Sequence, residues 1–517
     1  MGSLGFWGRA QQNPDWIAVI EADGTEHKAG ELLGRVNQLT SALRALGLQS
    51  GDGIAAVLPN GAAALEVYLA ALQAGWYLTP INWHFTASEI AYILRDSQAR
   101  AFFVHERFAL TGLAAADEAG LPPAGRFSYG GEVPGFTPVS QLRAGQPVST
   151  VAQRTAGATM HYTSGTTGRP KGVRRSLSGL DPDEAAELSA ALLQFFGITA
   201  GPPNVHLVTS PNYHTAVTVF GGGALHLGHT LVCMDGWDAE QALALVQRHH
   251  VTNTHMVPTQ FKRMLSLPAE IRGRYDLSWM RWLIHAAAPC PVGIKQAMLD
   301  WWGPCVYEYY AATEGGGTIA TPQDWLARPG TVGRPWPVSE VMVVDEAGQQ
   351  CPPGVPGTVY MKMGLADFEY FGDPQKTAAG RLGGLFTVGD IGYLDSAGYL
   401  FLCDRRADII ISGGANIYPA EIEAEIIMHP GVADVAVFGI PDEEWGEQVK
   451  AVVQPAAGTA PGADLAAEIL AWLDGRLARM KWPKTIDFTD QLPRDPSGKL
   501  LKRRLRDPYW EGRGGAI

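Results

Sequence analysis

The feature that most restricts the fold is a regular alternation of short apolar runs with helix-length amphipathic segments over residues 16–106. The strand-like runs are 16–20, 53–60, 76–82 and 101–106, and the helix-like segments between them are 29–46, 62–74 and 88–97. An amphipathic helix must cover an apolar face, and a buried strand needs cover on both sides. The alternation therefore predicts a layered α/β sheet.

The same alternation resumes beyond residue 182. Helices are predicted at 182–196, 212–228 and 237–250, and strands at 205–210 and 280–289. The Pro- and Gly-rich stretch 120–145 that separates the two alternating regions is expected to be a connection across the surface.

The composition and the predicted secondary structure change twice further along the chain, and these changes define the predicted domains. Residues 331–399 read as short strands with frequent Gly, Pro and Asp, which indicates a small β-rich subdomain. A compact α/β unit begins near residue 405. We predict an N-terminal domain (1–404) of layered α/β subdomains plus the β-rich one, and a small mobile α+β C-terminal domain (405–517).

A phosphate-binding loop is indicated between Met160 and Val173, where the chain reads MHYTSGTTGRPKGV. Glycines let backbone amides converge on an anion, hydroxyls add donors, and a lysine adds a mobile positive charge. The candidate residues are Thr163, Ser164, Gly165, Thr166, Thr167, Gly168 and Lys171. The segment is not a Walker A loop, because Pro170 precedes the lysine and Gly172 follows it. A flexible surface turn remains the alternative.

Further segments carry polar groups, each with a purely structural alternative. Tyr309 and Tyr310 precede Thr313, Glu314 and a glycine run: aromatic faces stack on bases and a carboxylate holds Mg²⁺, but a buried strand ending in a glycine turn would look the same. The other candidates are Asp390 between glycines (ribose hydroxyls, or a common turn), His214 (functional, or structural), Arg405 at the domain junction (functional, or a surface ion pair) and Lys499 in an exposed turn.

Composition and charge exclude several classes of protein. The formal net charge of −12 disfavours a nucleic-acid partner, and 46% hydrophobic with 18% charged residues disfavours a disordered chain. The five cysteines are widely spaced and predict reduced thiols rather than disulfides or a zinc site. No secretory signal and no apolar run near ~20 residues is visible. We therefore expect a cytoplasmic protein with at most peripheral membrane contact.

Taken together and in this order, the motifs resemble those of the acyl-CoA synthetases of the adenylate-forming superfamily, which includes firefly luciferase and nonribosomal-peptide adenylation domains. The motifs are YTSGTTGRPKGV, YAATE, FTVGDIGYLDSAGYL, DRRADIIISGGANIYPAEIE and LPRDPSGKL, and the likeness extends over residues 15–507. The resemblance implies a two-step reaction: a carboxylate attacks the α-phosphate of MgATP to give acyl-AMP, and CoA then displaces AMP.

The resemblance also implies roles for the residues. Thr163 to Lys171 would hold the β- and γ-phosphates, with Thr166 in a catalytic role. Tyr310 would stack on adenine, with Ala286 to Pro289, including Ala288, on the other side of the base, and Asp390 would hold the ribose with help from Arg405. Thr313 would touch the α-phosphate and Glu314 would ligate Mg²⁺. Lys499 would stabilise the adenylation transition state, His214 would line the acyl entrance and open the path for CoA, and Gly413 and Gly414 would line the pantetheine tunnel after domain rotation.

Three positions depart from the family pattern. Ala311 replaces the usual glycine in the floor of the acyl pocket, Val388 replaces a Ser or Thr before the Gly-Asp pair, and Ala407 stands where the hinge usually has Asp or Lys. The first change puts the substrate in doubt, and the third puts in doubt which residue absorbs the rotation.

Three readings of the activity follow. The first is an ATP-dependent acid–CoA ligase acting on an apolar, fatty acid; an aromatic or sterol-derived acid would also suit the small-residue segments 220–224 and 286–288. The second is an acyl-AMP ligase that loads a carrier protein, and the third is a nucleotide-binding protein without turnover. Expected partners are a small-molecule carboxylic acid, ATP and CoA, with a homodimer left open.

Overall fold

A computed structural model describes residues 5–163, 170–364, 367–494 and 500–511. The first part forms a parallel sheet in the order β7-β6-β5-β3-β4-β8, covered by helices. Its elements, with β1 and β2 of the next sheet, are β1 (Ile17–Ile20), β2 (Glu26–Lys28), β3 (Gly53–Val57), β4 (Tyr77–Pro80), β5 (Ala99–His105), β6 (Arg126–Tyr129), β7 (Thr137–Pro138), β8 (Ala158–Thr159), β9 (His161–Thr163), α1 (Phe6–Gln12), α2 (Ala29–Ala45), α3 (Ala62–Ala74), α4 (Ala87–Asp96), α5 (Ala109–Ala119) and α6 (Val139–Arg143).

One prediction for this part is wrong. Residues 120–145 are more than a surface connection, because β6 and β7 add two parallel strands to the sheet and α6 follows them. Three of the four residues of β6 are buried. The glycines that suggested a loop lie at the ends of elements: Gly120 caps the C-terminus of α5 and Gly130 directly follows β6, both with positive φ.

The second part continues with β10 (Lys171–Arg174), β11 (Val205–Val208), β12 (Thr230–Cys233), β13 (Asn253–Met256), β14 (Trp282–His285), β15 (Val306–Ala312), β16 (Gly315–Ala320), β17 (Thr331–Pro335), α7 (Pro182–Phe195), α8 (Thr215–His226), α9 (Ala239–Arg248), α10 (Pro258–Leu265), α11 (Ala269–Arg272), α12 (Val292–Trp302) and α13 (Pro322–Ala327). The strands β1, β12, β11, β13, β14 and β15 run parallel, and β16 and β17 then pair antiparallel.

The third part is the β-rich subdomain that the sequence predicts. Its elements are β18 (Ser339–Val344), β19 (Gly357–Met363), β20 (Glu369–Tyr370), β21 (Arg381–Leu382), β22 (Leu385–Phe386), β23 (Asp390–Leu394), β24 (Leu400–Arg405) and α14 (Pro374–Ala379). The pairing of β17 with β24 joins it to the large sheet. β20 instead pairs with β10, in a small sheet that also contains β9.

The last part is a separate small sheet with helices. It contains β25 (Ile410–Ser412), β26 (Ala415–Ile417), β27 (Val432–Asp442), β28 (Gly446–Pro455), β29 (Thr485–Phe488), α15 (Pro419–Ile426), α16 (Ala463–Trp472) and α17 (Lys502–Trp510). The β27–β28 hairpin forms the centre, with β25 and β29 on β28.

The small sheet and its helices contact the large domain on two sides. Lys262 Nζ donates to the carbonyl of Ile427 at 3.1 Å. At the junction between the two, Arg506 donates to the carbonyl of Ala407 at 3.0 Å, and the amide of Ala420 donates to Asp404 at 2.8 Å. Across the described ranges, no helix combines the length and apolarity needed to traverse a bilayer.

Candidate active site

A cleft of about 4400 Å³ opens between the large domain and the small C-terminal sheet. The carboxyl ends of the parallel strands β11, β14 and β15 lead directly into segments that line it. Ligands of open α/β sheets bind at this edge, because the loops that follow adjacent strands converge there. The parallel topology therefore brings His214, Thr313 and Glu314 to this edge of the sheet, together with Ala288 and Pro289.

The wall near the β-rich subdomain is built from Tyr310, Asp390 and Arg405. The Tyr310 hydroxyl donates to Asp390 Oδ2 at 2.6 Å, and Arg405 Nε lies 3.3 Å from Asp390 Oδ1. Burial, together with the neighbouring Asp390 carboxylate, raises the pKa of Tyr310 well above its ordinary value, so the phenol stays protonated and keeps donating. A carboxylate has about four lone-pair sites, so Asp390 retains acceptors for a ligand.

A second carboxylate, Glu314, lies at the turn between β15 and β16. The Tyr370 hydroxyl donates to Glu314 Oε1 at 2.7 Å. Beyond the turn, the close pairing of β16 with β15 requires glycine at position 317, where φ is +148° and an added Cβ would lie 2.3 Å from the carbonyl oxygen of Tyr310. Glu314 is thus held by a tight turn and by a strand from the β-rich subdomain.

No group of three or more His, Cys, Asp or Glu side chains suited to a metal ion occurs in the part of the chain that the structure describes. Mg²⁺ at nucleotide sites takes one or two carboxylates and completes its shell with water and phosphate oxygens. A single oriented carboxylate, Glu314, fits that requirement.

Thr313 and Arg175 lie beside Glu314. The Thr313 hydroxyl is 3.0 Å from that of Thr215 at the start of α8, and the Arg175 guanidinium donates to the Thr313 carbonyl at 2.6 Å. Burial lowers the pKa of Arg175, and the Glu314 carboxylate opposes that shift. Arg175 lines the cleft and forms no ion pair within 4.0 Å with any described carboxylate. It is therefore a cation available to an anionic ligand.

The described flanks of the phosphate-binding loop form the β9–β10 hairpin, in which Thr163 pairs with Lys171. Lys171 Nζ lies 3.2 Å from Asp373 Oδ2 at the start of α14. The predicted contacts of Ser164, Gly165, Thr166, Thr167, Gly168 and Lys499 lie outside the described residues.

His214 immediately precedes α8, and its ring lies 4.4 Å from that of Tyr213, centroid to centroid. Behind them the His161 ring lies 3.3 Å from the Tyr213 carbonyl, and burial lowers the pKa of His161 to about 4. Both His161 and His214 line the cleft. The position at the acyl entrance and the role in opening a path for CoA that the sequence suggests for His214 both stay predictions.

Tyr309 was expected to contact the nucleotide, but its side chain lies on the other face of β15 from Tyr310. Successive strand residues point to opposite faces, so Tyr309 faces away from Asp390. The centroid of its ring lies 5.5 Å from that of the Phe220 ring, and its hydroxyl is 3.3 Å from His255 Nε2. Burial lowers the pKa of His255 to about 3, so the ring is neutral. This part of the cleft, here named the apolar arm, is lined by Tyr68, Leu72, Leu192, Phe195, Phe220 and Tyr309.

Ala288 and Pro289 are exposed on the cleft after β14, next to Ala287, which adopts φ +73°. Gly413 and Gly414 form the β25–β26 turn, and neither contributes to the cleft wall. Residues 500–504 of the same small domain do line it. The structure therefore brings one side of the small domain to the cleft and leaves the glycine turn elsewhere.

Sequence reasoning missed three residues that hold the site together: Arg175, Tyr370 and Asp373. Arg175 could have been found, because Lys171, Val173 and Arg175 alternate on one side of a strand-like run. Tyr370 and Asp373 gave no local signal, since their importance arises from contacts with Glu314 and Lys171, 56 and 202 positions away.

Comparison with known proteins agrees with this arrangement. A family model described as AMP-binding enzyme matches residues 6–364, and one described as AMP-binding enzyme C-terminal domain matches residues 421–499. The chain belongs to the AMP-binding enzyme family. The predicted adenylate-forming superfamily, the α/β fold and the assignment as a ligase are therefore confirmed. Members of this family bind ATP as their nucleotide. The 1–404 and 405–517 division stays a prediction.

Among individual proteins, the chain is 33% identical to the fatty acid–[acyl-carrier-protein] ligase ScoC of Streptomyces coeruleorubidus, over 97% of this chain and 95% of that protein. It is 34% identical to a feruloyl-CoA synthase of Amycolatopsis sp, over 97% and 98%. The crystal structure of ATP-bound MatB from Rhodopseudomonas palustris matches with a TM-score of 0.81 and 30% identity, over 98% and 99%.

Proposed function

We propose that this protein is an ATP-dependent acid–CoA ligase that acts on an apolar carboxylic acid through an acyl-adenylate. One observation carries the proposal: a single cleft presents an oriented carboxylate pair, Asp390 and Glu314, next to an uncharged apolar arm. The first carboxylate suits ribose hydroxyls and the second suits the metal that accompanies a triphosphate. The arm suits the non-reacting part of an acid.

In the first step an oxygen of the acid carboxylate attacks the α-phosphorus of ATP. A new phosphorus–oxygen bond forms, the bond to the bridging oxygen of the β-phosphate breaks, and pyrophosphate leaves with that electron pair. Tyr310 and Asp390 orient the nucleoside, and Arg175 presents positive charge to the phosphates from the cleft wall. The family resemblance gives Lys171 and Lys499 the same kind of role, as cations for the phosphates and for the transition state. Such fixed charges contribute most to phosphoryl-group chemistry because they need no reorganisation during the reaction.

Glu314 would hold a Mg²⁺ ion that arrives with ATP and reduces the charge repulsion among the phosphate oxygens. Tyr370 contributes by holding the Glu314 carboxylate in one orientation at 2.7 Å. Thr313, fixed by Thr215 and Arg175, is adjacent and suits contact with the α-phosphate.

In the second step the sulfur of the CoA thiolate attacks the acyl carbonyl carbon. A carbon–sulfur bond forms, the bond to the AMP oxygen breaks, and AMP leaves. The family resemblance assigns this step to a rotated small domain in which Gly413 and Gly414 reach the cleft. Their present position off the cleft, with 500–504 facing it, supports an adenylation orientation here. The junction contacts at Asp404 and Ala407 would then be rearranged.

A carrier protein is the alternative acceptor, favoured by the 33% identity to ScoC, which is named as a carrier-protein ligase. The test is to form acyl-adenylate from ATP and acid, then to add CoA or an acyl carrier protein bearing phosphopantetheine. Thioester on CoA supports the proposal, and thioester formed solely on the carrier overturns its second step.

The adenylation step is tested by pyrophosphate release with a panel of acids. Lys499→Ala should abolish release while ATP binding measured by calorimetry persists. Release at the wild-type rate in that variant would contradict the role given to Lys499, and no acid-dependent release in the wild type would overturn the proposed function. The cytoplasmic location and the homodimer stay predictions.

A further inference from the structure

Next to the apolar arm lies a second, smaller void of about 60 Å³, here named the side chamber. It is enclosed by α3, the first half of α8 and the strands β3, β4, β11 and β12. The chamber walls contain no Asp, Glu, Lys, Arg or His among the described residues, and eight of the 17 lining residues are Ala, Val or Leu: Ala56, Leu58, Ala64, Leu65, Leu78, Val208, Val217 and Leu231. The chamber therefore suits hydrocarbon rather than a polar group.

Tyr68 stands between the chamber and the arm. It lines both spaces, as do Asn60, Pro80, Val217 and Thr218, but it is the one aromatic residue among these five. The ring lies against α8, where an added Cβ on Gly222 would come within 2.4 Å of the Tyr68 hydroxyl oxygen. Gly222 thus makes room for the tyrosine.

The surroundings hold the Tyr68 ring in an uncharged environment. Its centroid lies 6.3 Å from that of His226, whose Nδ1 accepts a hydrogen bond from the Phe6 amide at 3.2 Å. Burial lowers the pKa of His226 to about 4, so this ring is neutral at physiological pH. Burial also raises the pKa of Tyr68 above its ordinary value, so its phenol stays protonated. His255 is neutral as well, so none of these three side chains presents a charge to the tail of a bound acid.

We propose that Tyr68 sets the length of the apolar tail that the site accepts: the tail of a linear acid ends against the Tyr68 ring, and the side chamber behind it is closed to substrate while that ring is in place. This inference rests on the proposed ligase function and adds to it a specificity-determining residue. The chamber has about two water volumes of ~30 Å³ each, a space of about two methylene groups.

The wild-type profile is the first test. Pyrophosphate release is measured with saturated linear acids from four to sixteen carbons, and kcat/KM should rise by about 4-fold per methylene up to one length and then fall. A value that keeps rising through sixteen carbons overturns the proposal without any variant. No release with any acid would instead remove the ligase function on which the proposal rests.

The second test opens the chamber. Tyr68→Ala should move the optimum by about two carbons or more, with roughly 15-fold higher kcat/KM than wild type for the longer acids. Tyr68→Leu serves if the alanine variant does not fold, as judged by its melting temperature. An active Tyr68→Ala or Tyr68→Leu enzyme with the wild-type optimum overturns the proposal.

Two matched controls separate the ring from the size of the chamber. Tyr68→Phe keeps the ring and should keep the wild-type optimum. Leu65→Ala enlarges the chamber without opening it, because Leu65 lines the chamber and not the cleft, and should also leave the optimum in place. A shift of two carbons in either control contradicts the assignment to the ring.

A coupling experiment checks the contact itself. Gly222→Ala alone should reduce adenylation with all acids, since its Cβ would collide with the Tyr68 hydroxyl. In the Tyr68→Ala background the same substitution should be tolerated and should shorten the optimum again, because Gly222 lines the chamber. Equal effects of Gly222→Ala in both backgrounds would refute the contact.

Discussion

The interaction of Asp390 with the ribose of ATP gives the sharpest prediction. Asp390 has its Oδ2 bound by the Tyr310 hydroxyl at 2.6 Å and its Oδ1 near Arg405 at 3.3 Å, so the carboxylate is oriented before a ligand binds. It is 9% exposed, so a ribose hydroxyl that replaces water there gains a bond to a charged acceptor in a largely dry position. Wild-type enzyme should therefore discriminate strongly against 2′-deoxy- or 3′-deoxy-ATP.

The size of the effect follows from the acceptor's charge. A hydrogen bond to a charged group contributes about 1.5–3 kcal/mol, which corresponds to roughly 10- to 150-fold in kcat/KM for the loss of one hydroxyl. Asp390→Asn keeps the shape and removes the charge, so the same bond falls to about 0.5–1.5 kcal/mol and the discrimination to roughly 2- to 12-fold. Tyr310→Phe should lie between the two, since it loosens the carboxylate without discharging it.

The assay is pyrophosphate release with ATP and each deoxynucleotide at saturating acid, for wild type, Asp390→Asn and Tyr310→Phe. Glu340→Gln is the matched control, because Glu340 pairs with Lys362 on the surface of the same subdomain at 2.8 Å and does not line the cleft. If Asp390→Asn discriminates between ATP and its deoxy forms as strongly as wild type does, Asp390 does not hold the ribose.

Four further outcomes are expected. Tyr370→Phe removes the donor to Glu314 and should lower adenylation kcat/KM by roughly 10- to 150-fold while raising the Mg²⁺ concentration needed for half-maximal rate; an unchanged Mg²⁺ dependence would contradict the contact. Arg175→Met should raise the KM for ATP, and Arg175→Lys should raise it less because the positive charge is kept. An equal rise in both variants, with a lowered melting temperature, would indicate that Arg175 only stabilises the fold through its hydrogen bond to the Thr313 carbonyl. Lys295 Nζ lies 2.6 Å from Glu308 in a buried ion pair, so Lys295→Met leaves the carboxylate without its partner and should lower the free energy of unfolding by about 3–5 kcal/mol. The melting temperature should fall by several degrees, and the double variant Lys295→Met/Glu308→Gln should largely recover it. No recovery would refute the pairing. Burial lowers the pKa of His161, His206, His226 and His229 to about 4. These rings stay neutral in the fold while the unfolded chain binds protons, so the melting temperature should be nearly constant between about pH 7 and 8 and fall as pH drops from about 6.5 towards 4. A flat melting temperature from about pH 7.5 to 4.5 would oppose this.

The amino-acid sequence by itself predicted the class of fold and most of the candidate active-site residues. The alternation of strand and helix, the hydroxyl- and glycine-rich loop before Lys171, and the carboxylates after short strands all follow from local rules of spacing and side-chain type. These rules suffice for the class of fold, because each helix and strand needs little more than its own pattern. They nominate Glu314 and Asp390 only in combination with the other motifs, since a carboxylate beside glycines at a strand end is also typical of an ordinary turn.

Only the tertiary structure decided which of these groups meet. Tyr310 and Asp390 are 80 positions apart and Tyr370 and Glu314 are 56 apart, and local spacing carries no information on such pairs. Residues 120–145 are a second case, because frequent glycines in this stretch predicted a loop although it contains two short strands. Tyr309 is a third: β15 places it on the opposite face from Tyr310, so it packs with Phe220. The length of the apolar arm is the strongest case: it depends on Tyr68 from α3 crossing Gly222 of α8, a contact set by how two helices pack and not by either helix alone.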